Sequence, residues 1–151
     1  MPFIYEIIIH KLIRVKNLNL VSEGMITATK YFTPKEAKKT LPLVRQIVKD
    51  ILDTTREIKL IAEDYDGEVE NNPEILKLTR KINNYMAELE EIGCYFKDWN
   101  FTIGLVDFPS TIDDKDVYLC WKSDEEEILY YHPIDAGYLN RKPIPKKYLQ
   151  D

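Results

Sequence analysis

The sequence is poor in cysteine and glycine, with two Cys and five Gly in 151 residues. Two cysteines do not build a disulfide framework for a chain of this length, and Cys94 and Cys120 are read as free thiols, with a pairing as the alternative. The glycines stand apart from one another and none opens a Gly-Lys-Ser/Thr ending, which excludes a phosphate loop. Long apolar runs are missing too. Ile7-Ile8-Ile9 is closed by His10 and Lys11, far short of the roughly 20 residues of a membrane span. The opening has neither the basic segment nor the small-residue cleavage site of a secretory signal, so a cytoplasmic protein with no membrane partner is expected. Basic charge is in deficit, 21 Lys and Arg against 26 Asp and Glu, and the net charge of −5 argues against a nucleic-acid partner. With only His10 and His132, and no Gly-x-Ser-x-Gly, a Ser–His–Asp triad has little material. Glutamine occurs only as Gln46 and Gln150 in a chain rich in Ile and Lys, a thermophile-like bias.

What is present describes a folded domain. The 44% hydrophobic content and ten tyrosines can fill one core. Residues 1–31 read as an N-terminal extension that adds a strand over about residues 3–14, where Phe3, Tyr5, Ile7 and Ile9 alternate with their neighbours. Met25 is an alternative start, because the clear structural signals follow it. Residues 32–151 then form a single α+β domain, with a helical hairpin over 33–93 and a β-meander with an extended tail over 94–151.

Thr33-Pro34-Lys35-Glu36 is a capping box, with Phe32 placed to staple against Ala37. Ala37, Leu41, Val44, Val48, Ile51, Thr55, Ile58 and Ala62 follow at steps of four and three, the spacing of one continuous helical seam. Pro42 lies inside that period and bends the helix without ending it. Leu43, Ile47 and Ile61 widen the apolar face. After the acidic linker 63–70, Asn72-Pro73 opens a second helix with Ile75, Leu78, Ile82, Tyr85, Leu89 and Ile92 on one side, and Gly93 stops it. Seams this wide need the cover of a strand layer or of a second copy of the chain.

The period then changes. Thr102–Pro109, Val117–Trp121 and Ile128–His132 read as three strands joined by the polar connectors Ser110–Asp116 and Lys122–Glu127. The fold class is therefore α+β: a long antiparallel helical hairpin followed by a small antiparallel meander.

Phe32-Thr33, Glu36-Ala37, Leu41-Pro42, the stretch Gly104-Leu105-Val106-Asp107-Phe108-Pro109, Tyr118-Leu119-Cys120-Trp121, His132, Asp135-Ala136-Gly137 and Arg141-Lys142-Pro143 together resemble a prokaryotic family, the domain of unknown function numbered 2203, over residues 31–143. Tyr131 stands where that family's pattern has Trp, and Tyr138-Leu139-Asn140 replaces its small-residue turn. The family has no assigned activity, so the resemblance implies domain limits and no chemistry. Residues 1–24 lie outside it.

The polar residues set among apolar strand residues, Asp107, Cys120, His132, Asp135 and Arg141, are candidate ligand-binding residues, and Trp121 joins them as an aromatic pocket candidate. A carboxylate, a thiol and an imidazole are zinc-type donors, and Asp107 and His132 are the candidate metal ligands. No cofactor is predicted in the first reading, because the spacing matches no C-x-x-C or H-E-x-x-H pattern; a divalent metal is the alternative. In the structural reading Arg141 or backbone amides satisfy Asp107, while His132 donates to Asp135 or a carbonyl. A small-ligand pocket would draw on Tyr118, Trp121, Tyr130 and Tyr131.

The first functional expectation is self-association, as a homodimer or with another protein partner, through Leu41, Val44, Val48 and Ile51. Basic tail residues Arg141, Lys142, Lys146 and Lys147 are expected to meet the acidic loops 63–70 and 113–127 of a second copy. The second expectation is a metal- or small-ligand-binding domain, with hydrolase activity as its enzymatic form, centred on Asp107 and His132.

Overall fold

The computed structural model describes residues 30–98 and 101–150. The strand expected over 3–14, His10 and Met25 lie outside the described residues. Helix α1 spans Pro34–Glu63, and its cap is the expected one: Thr33 Oγ1 accepts from the Glu36 N–H at 3.1 Å. Phe32 and Ala37, the two staple residues, are both buried. The helix continues through Pro42, which faces solvent. Helix α2 spans Pro73–Ile92, where Asn72 Oδ1 accepts from Glu74 and Ile75 N–H at 2.9 and 3.0 Å. Gly93 ends it at φ 108°, the left-handed conformation that favours glycine.

Five strands follow in chain order, each antiparallel to the next: β1 Tyr95–Phe96, β2 Leu105–Ile112, β3 Lys115–Lys122, β4 Tyr130–Pro133 and β5 Lys142–Pro143. β2 is shifted three residues along from the expected Thr102–Pro109, β3 runs further at both ends than Val117–Trp121, and β4 starts two residues later than the expected Ile128. The connector expected over Ser110–Asp116 shrinks to a two-residue turn, Asp113 and Asp114 at φ 51° and 65°, the twist that suits a tight hairpin. Pro109 does not interrupt β2, because its carbonyl, and hence its missing N–H, faces the other edge. There the carbonyl accepts from Phe32 N–H at 2.7 Å, so no β2–β3 ladder bond is lost. The tail is not simply extended: it adds β5 and a final turn of helix, α3, at Lys146–Leu149.

Strand parity divides the sheet's two faces. Val106, Phe108, Val117, Leu119 and Trp121 point to the helices and join one buried cluster with Leu41, Val44, Val48 and Ile51 of α1. That corrects the expected interaction face: these four helix residues are no more than 4% exposed, covered by the chain's own sheet and second helix. Their seam is core, not docking surface. Ile47 joins it, whereas Leu43 turns outward, 56% exposed. Phe32 meets Phe108 edge-on at 5.3 Å, and Ser110 Oγ donates to the Phe32 carbonyl at 2.5 Å, tying the helix entry to mid-strand.

Two of the tail cations expected to meet another copy find acidic partners of loop 113–127 within the chain itself. Lys147 Nζ lies 3.0 Å from Asp113, and Arg141 Nη1 lies 2.8 Å from Glu125. Among the described residues no helix is long and apolar enough to cross a membrane.

Candidate functional site

Alternation sends every second residue of β2 and β3 away from the helices. Cross-strand register lines up Tyr95, Asp107, Cys120, Tyr130 and Pro143 in one row on this outer face. His132 lies one row over, opposite Tyr118. The register thereby gathers Asp107, Cys120 and His132, all buried, with one donor atom of each lying within 4.8 Å of the others. Around them is a cavity of about 260 Å³, also lined by Lys97, Leu105, Tyr118, Ile134 and Tyr138.

The hydrogen bonds of His132 constrain its chemistry. Nδ1 lies 2.8 Å from the Pro133 carbonyl. A carbonyl oxygen only accepts, so Nδ1 carries a proton and donates it there. Nε2 then faces both Asp107 oxygens, at 3.1 and 3.2 Å. Imidazole and carboxyl must share one proton across this gap, since an unprotonated Nε2 and an ionised carboxylate would set lone pair against lone pair. Burial pushes the Asp107 carboxyl above its ordinary range, opposed by the His132 charge and hydrogen bond. Cys120 also hydrogen-bonds Asp107, and burial, followed by the Asp107 charge, pushes its thiol up to about 12. A thiol held protonated is a poor nucleophile. Moreover, carboxylate and thiol gather near the same imidazole nitrogen, whereas a Cys–His–Asp triad places them on opposite nitrogens.

A metal fits these donors better. Bonds of about 2.0–2.3 Å to a tetrahedral zinc place its ligand atoms about 3.3–3.6 Å apart. The Nε2–carboxylate spacing is already close to this, and the sulfur, within 4.8 Å of the other donors, would move inward by up to about 1.3 Å. An Nδ1–H bond to a carbonyl is the usual support of a histidine that coordinates through Nε2.

Of the remaining sequence candidates, Trp121 and Asp135 separate from this cluster. Trp121 is wholly buried on the helix side, where its Nε1–H donates to the Glu125 carbonyl at 2.9 Å; parity excludes it from the pocket. Asp135 is exposed and does not reach the cluster. Arg141 sits at the edge of the cluster, its Nη1 3.4 Å from the Cys120 carbonyl; it stacks on Tyr130 and Tyr138, at 4.4 and 4.7 Å from their ring centres, and its charge is answered by Glu125 rather than Asp107. Of the four aromatics proposed for a pocket, Tyr118 lines it, while Tyr131 packs against the core. Lys97, Leu105 and Tyr138 were absent from the sequence candidates. Lys97 and Leu105 share the parity of Tyr95 and Asp107, two residues along their strands, and that was the available signal.

Cys94 and Cys120 are both free and buried. No curated protein and no solved structure matches the chain. The signature from Gly104 to Pro109 that carries Asp107 lies within the match to a family model covering residues 30–144, and the chain belongs to that family, the uncharacterized conserved protein DUF2203.

Proposed function

We propose that this chain is a metal-binding domain in which Asp107, Cys120 and His132 hold one zinc-class divalent ion at the floor of the outer-face pocket. The observation that carries the reading is the commitment of His132 Nδ1–H to the Pro133 carbonyl at 2.8 Å. It leaves the Nε2 lone pair directed at a carboxylate and beside a thiol, three donors around one point that a single cation would satisfy. Three protein ligands leave a fourth position open, the pattern of catalytic rather than structural zinc. The adjoining cavity gives that position access to a small molecule. An ion there supplies Lewis acidity, and metal-assisted hydrolysis is the reaction class that fits it.

Cobalt(II) titration of the full chain tests the reading. One equivalent should bind and produce thiolate-to-metal charge-transfer absorption. Cys120→Ser should abolish that absorption, and Asp107→Asn should weaken binding at least tenfold while leaving the circular dichroism unchanged. A folded wild-type chain that takes up neither cobalt nor zinc at micromolar concentration overturns it.

A further inference from the structure

Resting on that metal site, we propose that the pocket receives a small monocarboxylate with an apolar body, its carboxylate lying between the Lys97 ammonium and the ion. The charges around the cavity favour a monoanion. Arg141 is neutralised by Glu125 at 2.8 Å, and Lys122 by Asp124 at 3.4 Å with the Tyr138 hydroxyl at the same distance. Lys97 differs. Among the described residues it makes no ion pair within 4 Å, its charge acting only from a distance on Asp107, and its Nζ rests over the Tyr95 and Tyr118 rings at 5.7 and 5.8 Å. It lines the same cavity as the three donors.

A divalent ion held by a carboxylate, a thiolate and a neutral imidazole is charge-balanced, because a coordinated thiol loses its proton. Lys97 then supplies the one uncompensated positive charge on the wall, which matches one negative charge on a ligand. The remaining lining is apolar or aromatic: Leu105, Tyr118, Ile134, Ala136 and Tyr138. A phosphate dianion calls for several convergent donors, such as an arginine fork or a nest of backbone N–H groups. One lysine and an open metal position suit a carboxylate instead. The volume of about 260 Å³ falls below the usual range for drug-sized ligands, roughly 300–1,000 Å³, and limits the body to about the size of one aromatic ring or a short branched chain.

The probes are benzoate and its neutral isostere benzamide, titrated calorimetrically into the zinc-loaded full chain after zinc stoichiometry has been measured. Benzoate should bind at least tenfold tighter than benzamide. Lys97→Gln should remove about tenfold of benzoate affinity while leaving benzamide affinity and zinc stoichiometry unchanged, and zinc-free protein should lose most of the benzoate binding. If zinc does not load, the metal reading fails and takes this proposal with it. If zinc loads but benzoate and benzamide bind alike, or Lys97→Gln has no effect, the carboxylate proposal fails alone. Equal benzoate affinity with and without zinc also overturns it.

Discussion

His132 and Asp107 face each other across β3, imidazole Nε2 against both carboxyl oxygens at 3.1 and 3.2 Å, with one proton between them. Asp107 is 5% exposed, so solvent does little to screen the pair. Because burial raises the Asp107 carboxyl in the folded chain, its stabilising proton is fully held below the unfolded pKa and lost as pH rises through the folded one. The metal-free protein, kept so with chelator, should therefore lose thermal stability as pH rises from the ordinary carboxylate range through the raised Asp107 value. Asp107→Asn replaces the proton with an amide N–H that does not titrate, and its melting temperature should be flatter over the same range. Asp107→Ala leaves both neighbours unpaired and should cost about 1–3 kcal/mol. Parallel melting profiles for wild type and Asp107→Asn would remove the shared proton from the account.

The buried seam of α1 predicts a folding phenotype rather than an association phenotype. Ile51 is fully buried, and Ile51→Ala should destabilise by roughly 2–5 kcal/mol with no change in mass by light scattering. Leu43→Ser, on the exposed side, should leave the melting temperature within a degree or two. A dissociated oligomer with unchanged stability in Ile51→Ala would restore the seam as an interface.

Just before β2, the backbone at Gly104 lies close against Val48 of α1. A Cβ on Gly104 would run into Val48 Cγ1 and crowd Ser123, while the Gly104 N–H is held by Ser123 Oγ at 2.9 Å. Gly104→Ala should cost about 1–3 kcal/mol through overpacking, read as a lower urea midpoint at unchanged slope. A shift below about 0.5 kcal/mol would show that the helix yields there.

Helices were more legible in this sequence than the sheet, and the site was legible only in pieces. Thr33, Pro34, Asn72, Pro73 and Gly93 act through local backbone chemistry, and each appears where a one-dimensional reading places it. Strand ends depend on partners. β2 extends to Ile112 because Lys115 lies opposite, and β5 exists because Tyr130 and Tyr131 offer an edge to Lys142 and Pro143. Neither fact is local. Asp107, Cys120 and His132 stand out as polar residues between apolar neighbours, and Trp121 as an aromatic candidate beside them. Only the register tells which of them meet, and it turns Trp121 to the opposite face. Arg141 was assigned to Asp107 because both need an opposite charge; Glu125, brought close by the fold of the β3–β4 connection, answers it instead.

The order of elements along the chain also matters while the protein is being made. The helical hairpin is complete by Ile92, yet the strand residues that cover its seam, from Val106 to Trp121, follow it in sequence. At about 5–20 residues per second, the side of the Leu41, Val44, Val48 and Ile51 seam that the sheet covers waits a few seconds for its strands. Over that interval an uncovered apolar face of this kind is exposed to aggregation. The Phe32–Ser110 bond, closing 78 residues of chain, ends that exposure only when the sheet arrives.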